Sequence, residues 1–371
     1  MRGEDFRVLV VGAGIAGLAA ARVLRDWGAT VTVVERAPAA IADGFGIYLP
    51  GNATRALRQL GLDRAVASRA VRIERQEVAD HRGRLLFDVD LAEVWGEVGP
   101  CLALPRADLH QALLAGADGV EIRWGCTPRE IVPAAHRARV VLSDGTSDAY
   151  DLVLGADGVH STVRRLVFGG PAARPVGQYA RRFLAPWADP RPVWSAMLGR
   201  GSTFLIIPIG RGQVYCYCDG PLETPAPSLG LLLAEYADPV PAVLEALRAR
   251  GGEAALHAAP VEEVVLESWS SGAVLLIGDA AHATSPNMAE GGAMALEDAI
   301  VLGESLTKAE SVPEALGTYE RRRRPRTSWV LAQTHRRDRT RGLLPVLRNL
   351  VLRKLGRRIF HANYRPLREA P

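Results

Sequence analysis

The sequence predicts an α/β fold: a Rossmann-like domain with an inserted, mainly antiparallel β-sheet domain and a helical C-terminal segment. Three observations predict it. Residues 8–11 are an apolar run, residues 18–27 read as a helix and residues 31–34 are a second apolar run, with the turn Gly12-Ala13-Gly14-Ile15-Ala16-Gly17 between the first run and the helix. Two further glycine-bearing segments, Gly155-Ala156-Asp157-Gly158 and Gly278-Asp279-Ala280-Ala281-His282, lie far downstream, so a domain using all three is discontinuous. Between these two the texture changes, and residues 182–187, 193–198, 203–209 and 213–218 are short strand candidates separated by Pro- and Gly-containing turns.

Taken in order, the first unit is a βαβ dinucleotide fingerprint. Gly12, Gly14 and Gly17 permit a tight turn, a close backbone approach to a pyrophosphate and close helix–strand packing, while Ile15 and Ala16 open a helix whose N-terminus favours anions. Glu35 ends the second strand, with Arg36 after it. Its carboxylate is placed to accept hydrogen bonds from an adenosine ribose and would repel a 2′-phosphate, which favours NAD or FAD over NADP. Residues 238–250 read as a helix, residues 259–269 return toward the cofactor and residues 221–227 form a Pro-rich surface loop. Residues 273–277 then read as a buried strand that delivers Asp279 to a loop before the helix 291–306, where a carboxylate can hold a polyol.

At this point the chain resembles the single-component FAD monooxygenases, the flavoprotein aromatic hydroxylases of the para-hydroxybenzoate hydroxylase type. Residues 274–282 look like the family's GD motif and residues 151–164 like its DG motif. The resemblance implies that Asp279 bonds the ribityl chain of a non-covalent FAD and that Asp157-Gly158 touches its pyrophosphate. It places Pro286, Gly291, Gly292 and Ala293 along the reacting edge of the flavin, with Arg106 and the loop containing Gly46 as further contacts. The commonest form of this loop has Gly where Ala289 stands and Asn where Ala293 stands. The implied chemistry is the flavin's: NAD(P)H, a transient co-substrate, reduces it, and O2 converts it to a C4a-hydroperoxide that transfers one oxygen atom to a small aromatic or polycyclic substrate. For the substrate wall, Tyr215 and Tyr217 share one strand face and Phe204, Ile206 and Pro208 another. One of these faces should cover the ligand, with Tyr217, then Tyr215, as the catalytic candidates and Arg182 and Arg200 as candidate anion contacts. His282 reads as a packing residue near the cofactor.

Competing readings differ in what they require. Halogenation is disfavoured because the only lysines, Lys308 and Lys354, lie outside the expected pocket, and no second glycine fingerprint marks a resident NADPH domain. An epoxidase, a Baeyer–Villiger oxygenase or a FAD-binding accessory protein remain alternatives on the same scaffold. The expected organisation is a FAD-binding domain from residues 1–70, 99–175 and 266–325, substrate-domain strands from 71–98 and 176–265, and a basic helical segment from 326–371.

Charge is unevenly distributed. The chain carries +4 overall, yet residues 321–371 hold 16 Arg or Lys against Asp338 and Glu369, so a basic tail follows an acidic body. The expectation is a helical segment whose arginines face water while Leu343, Leu344, Val346, Leu347, Leu350, Val351 and Leu355 pack against the FAD domain. The alternatives are weak membrane-surface contact, collection of a reduced pyridine nucleotide, or docking of an acidic carrier protein. No aromatic platform accompanies the arginines, so nucleic acid is not expected. Cys101, Cys126, Cys216 and Cys218 show neither a disulfide framework nor metal spacing, and Cys216 and Cys218 should share a strand face. Residues 1–5 lead straight into a strand and the apolar run 8–21 is too short and glycine-rich to span a bilayer, so a cytoplasmic enzyme with no integral membrane segment is expected.

Overall fold

The computed structural model describes residues 3, 5–40, 44–169, 173–188, 191–223 and 226–371. Met1, Arg2 and Glu4 at the start, and residues 224–225 of the expected Pro-rich loop, lie outside them. A six-stranded sheet runs in the order Ser270–Ser271, Val274–Leu276, Leu152–Gly155, Arg7–Val11, Thr30–Glu35, Glu121–Trp124. All its pairings are parallel except that of Ser270–Ser271. Its central strands are continuous apolar runs because both faces are covered. Helix Ile15–Asp26 packs against helix Gly291–Lys308 so closely that a Cβ on Gly303 would fall 2.3 Å from Val23 Cγ1. The three glycine segments all leave the carboxyl ends of adjacent strands, where parallel α/β sheets bind ligands.

The second sheet has seven strands, in the order His257–Glu263, Arg174–Pro186, Gln213–Pro221, Thr203–Gly210, Val193–Leu198, Arg75–Asp80, Leu85–Asp90. Side-chain alternation gives it two chemically different faces. Phe183, Phe204, Ile206, Val214, Cys216 and Cys218 form a closed core beneath helix Val240–Arg248 and the Leu229–Leu232 turn. Arg182, Leu205, Ile207, Tyr215 and Tyr217 occupy the opposite face, which turns toward the first sheet. A small sheet of Gly46–Leu49, Cys101–Pro105 and Val71–Ile73 lies between the two. The strand expected at residues 182–187 starts eight residues earlier, because Pro175 and Gly177 are absorbed in an irregularity of its pairing with His257–Glu263 rather than ending it.

The C-terminal segment is two helices, Val312–Thr340 and Pro345–Tyr364, and it corrects the expectation for this region. Arg323 is fully buried and Arg326 nearly so, whereas Leu343, Leu344, Val346, Leu347, Leu350, Val351 and Leu355 are all exposed. Arg323 and Arg326 turn inward because Glu297 and Asp298 wait for them on the neighbouring helix, while Arg321, Arg336, Arg339, Arg353, Arg357, Arg358, Arg365 and Arg368 are exposed as expected. Among the described residues, no helix is long and apolar enough to cross a membrane.

Candidate active site

The fingerprint turn is held from three sides. Gly12 has φ +107°, and a Cβ there would stand 2.5 Å from the Ala156 carbonyl oxygen; a Cβ on Gly17 would fall 1.9 Å from the Gly12 oxygen. Glu35 accepts hydrogen bonds from the amides of Ala13 (2.8 Å) and Ala37 (2.9 Å), leaving one lone pair on each oxygen for a ligand. His110 Nε2 donates to the Ala13 carbonyl at 2.8 Å, a contact the sequence does not advertise. The first turn of the helix has no side-chain cap and no acidic residue. Gly14 faces open space, so the helix N-terminus, with Ile15 and Ala16, is free to meet an anion. Arg36 is exposed beside it.

The other two glycine segments close onto this turn. A Cβ on Gly278 would lie 2.9 Å from Ala16 Cβ, and Arg164 ties the second segment to the third by donating to the carbonyls of Ala280 (3.0 Å) and Val159 (2.6 Å). Asp157 turns inward, accepting from Ser161 Oγ (2.5 Å) and from the amides of Thr162 (2.6 Å) and Val163 (3.2 Å). Burial still raises its pKa, against those bonds. Its carboxylate shapes the loop and leaves Gly158, at φ +80° with nothing near, as the open position. Asp279 is exposed, with Oδ1 3.9 Å from where a Cβ on Gly291 would sit. His282 donates to Asp298 (2.8 Å), which also accepts from the Gly278 amide (2.8 Å) and from Arg323 Nε (2.7 Å). Burial alone would push Asp298 up; His282 and Arg323 outweigh it and hold the carboxyl down to about 2.

Pro286 opens a short turn whose last link, Ala289, sits at φ 55°, ψ 29°. This left-handed conformation explains why glycine suits the position, since a Cβ there is strained. Glu290 follows, almost fully buried, accepting from Asn52 Nδ2 at 2.9 Å while its Oε1 has no partner among the described residues. Burial pushes its carboxyl up to about 8, against the Asn52 bond and assisted by neighbouring Glu297. Gly292 faces Ile47 Cδ1 at 3.3 Å and Ile15 Cδ1 at 3.9 Å from an ideal Cβ, so this helix start meets both the fingerprint and the small sheet; Ala293 is buried behind it.

The sheet face completes the site. A Cβ on Gly46 would fall 2.3 Å from Tyr215 Cβ, and Arg106, exposed, donates its backbone amide to the Phe45 carbonyl (2.8 Å). Arg182 lies opposite Tyr217 in the strand pairing, with its guanidinium 5.4 Å from the Tyr217 ring centre, and it also bonds Tyr215. His257 is its partner on the other side. Burial raises both tyrosines, Tyr217 far above its ordinary value, with Asp219 adding to the effect. Arg200 is exposed in a distant turn and is not brought to this face. Helix Val312–Thr340 covers the outer end. Asp338 Oδ1 accepts from Gln178 (2.6 Å) and Asn287 (2.8 Å), while Arg337 donates to the Asn287 carbonyl (2.6 Å). Gln178 Oε1, the Tyr217 hydroxyl, Ser285 Oγ and Asn287 Oδ1 are buried and have no hydrogen-bond partner among the described residues.

A family model for the FAD binding domain matches residues 5–334. The chain belongs to this family of FAD-dependent monooxygenases. Among its relatives are the 3-amino-4-hydroxybenzoate 2-monooxygenase of Streptomyces cremeus, 35% identical with 91% of this chain and 86% of the relative covered, and the 2-heptyl-3-hydroxy-4(1H)-quinolone synthase of Pseudomonas aeruginosa, 35% identical with 88% and 87% covered. Klebsiella pneumoniae HpxO, solved with FAD and uric acid, superposes with a TM-score of 0.88 over 99% of this chain and 98% of its own, at 25% identity. The flavoprotein fold read from the motifs is therefore the fold of the chain. Sequence reasoning missed Asn52, His110, Arg337 and Asp338 in this monooxygenase, because each acts on a segment far away in the chain.

Proposed function

We propose that the chain is a FAD- and NAD(P)H-dependent monooxygenase that inserts one oxygen atom from O2 into a small aromatic or heteroaromatic substrate. In this reading the flavin domain is assembled from residues 1–70, 99–175 and 266–325. The residues fit FAD on two structural counts: a glycine turn too tight for side chains beneath an uncapped helix N-terminus, and an exposed Asp279 facing the start of a second uncapped helix. Gly12, Gly14, Ile15, Ala16 and Gly17 would hold the pyrophosphate with Gly158 alongside, Glu35 and Arg36 the adenosine end, and Asp279 and Gly278 the ribityl chain. Gly46, Arg106, Pro286, Gly291, Gly292 and Ala293 would frame the ring. Bound FAD supplies the redox chemistry, passing electrons from NAD(P)H to O2. The amides at the start of helix Gly291–Lys308 favour negative charge placed before them.

The observation that carries the substrate reading is a set of buried polar atoms without a partner among the described residues: the Tyr217 hydroxyl beside Arg182, Gln178 Oε1 and Asn287 Oδ1 at the Asp338 clamp, and Ser285 Oγ next to Pro286. Each such atom costs about 1–3 kcal/mol when left unpaired, so a polar ring that satisfies them gains orientation as well as affinity. Tyr217, held neutral by burial, acts as a hydrogen-bond partner rather than a base. Arg182 between the two tyrosines favours a phenolate or carboxylate. The relatives named above act on a hydroxylated aminobenzoate and form a hydroxyquinolone, which suggests the panel to use. Under 18O2, with NADH or NADPH and a panel of phenols, aminobenzoates and quinolones, the expected result is substrate-dependent oxidation of the pyridine nucleotide with one 18O in the product. Oxidation indifferent to every aromatic, with no labelled product, would overturn the proposal.

A further inference from the structure

The terminal helix Pro345–Tyr364 is firmly docked yet presents its apolar side chains outward. Arg348 is buried and donates to the carbonyls of Gly199 (2.7 Å) and Leu198 (3.2 Å), and Gly356 lies so close to Phe87 that a Cβ would stand 2.3 Å from its ring. Phe360 and Tyr364 complete the inner face. The outward face is therefore held in place, not frayed. At its start Leu344 is 70% exposed and Val346 83% exposed, and Leu343, Leu347, Leu350 and Val351 surround them. Side chains so exposed protrude rather than line a groove.

One to two turns further on, Lys354 and Arg358 continue the side of Leu347 and Arg353 stands on its flank, all exposed and without a carboxylate partner among the described residues; Arg357 pairs with Asp88. No Asp or Glu occurs from residue 339 to 368. We propose that this face is a peripheral docking site for an anionic phospholipid surface. The leucine-rich start enters the boundary between headgroups and acyl chains, and the three cations meet lipid phosphates. A second copy of the chain is a poor occupant, because two-fold pairing of this face would set cations against cations with no acid on the helix to receive them. An exposed apolar protrusion bordered by unpaired cations is the arrangement that interfacial helices share, and ordinary surfaces avoid it.

The test uses the full-length, FAD-loaded protein and cosedimentation with phosphatidylcholine vesicles that contain or lack phosphatidylglycerol. Binding is expected to the anionic vesicles, to weaken with added salt, and to fall about tenfold or more in Leu347→Asp/Leu350→Asp and in Arg353→Gln/Lys354→Gln/Arg358→Gln. Flavin content and unfolding temperature should stay close to the parent's, because these side chains lie on the exposed face of the helix. Absence of binding to either vesicle, or binding that both variants retain, would overturn the proposal. So would a parent that sediments as a dimer and becomes a monomer in Leu347→Asp/Leu350→Asp, or capture by an acidic protein in place of the anionic vesicles.

Discussion

The two C-terminal helices are both rich in arginine and treat their charges in opposite ways. Helix Val312–Thr340 buries two of its arginines: Arg323 lies between Asp298 (2.7 Å) and Glu297 (2.9 Å), and Arg326 makes two bonds to the Glu297 carboxylate, both 2.7 Å. Helix Pro345–Tyr364 leaves Arg353, Lys354 and Arg358 in water together with its leucines. The difference lies in what each helix meets. The first crosses a helix that carries two adjacent acids, and the second crosses the edge strand Leu85–Asp90, whose contribution is Phe87 and Asp88. Charge counted along a chain gives the field of a segment. Where each charge goes is decided by partners elsewhere.

That contrast breaks most readily at Arg323. Arg323→Met leaves Glu297 and Asp298 short of their shared partner, and a loss of roughly 3–5 kcal/mol is expected in chemical denaturation. The same change at Arg358 should stay within about 0.5 kcal/mol. Equal losses would show that the two helices do not differ as described.

The second test concerns Glu290, which adjoins the loop that Arg337 and Asp338 clamp. Its raised pKa means that the folded protein holds a proton the unfolded chain has released. The associated stability is complete below the ordinary carboxylate value of 4.5 and is lost as pH rises through about 8. Glu290→Gln should therefore flatten the decline in stability across this window, by an amount on the order of a few kcal/mol, read from denaturation at several pH values. A pH profile unchanged by the substitution would contradict the buried, protonated acid.

Ala289→Gly should stabilise by a few tenths up to about 1 kcal/mol, since relief of left-handed strain exceeds the added freedom of the unfolded chain by a small margin. Leu347→Ser should change stability by less than about 0.5 kcal/mol despite removing a leucine, because that side chain is 53% exposed. A loss of several kcal/mol would mean that the terminal helix packs as the sequence suggested.

What was legible in the sequence was local. The fingerprint and the Gly278-Asp279 loop depend on neighbours within a few residues, so glycine spacing and one carboxylate disclose them. Alternation along the strands showed that Tyr215 and Tyr217 share a face. The helices that close over Phe204 and Ile206 were needed to exclude the other face from the site. The Asn52–Glu290 bond joins residues 238 positions apart, and Asp338 gathers Gln178 and Asn287 from 160 and 51 positions away. No periodicity encodes such pairings. The terminal leucines were misplaced for the related reason that helical spacing shows an apolar stripe without showing whether anything covers it.

The most direct measurement is the absorption spectrum of the FAD-loaded protein under anaerobic conditions, as NADH and then NADPH are added with and without each aromatic of the panel. The expected result is flavin bands near roughly 370 and 450 nm that bleach faster with one aromatic class than without it. Bands that never bleach, or that bleach at one rate whatever ring is present, would contradict a substrate-responsive monooxygenase. A protein that takes up no flavin on reconstitution would contradict the cradle itself.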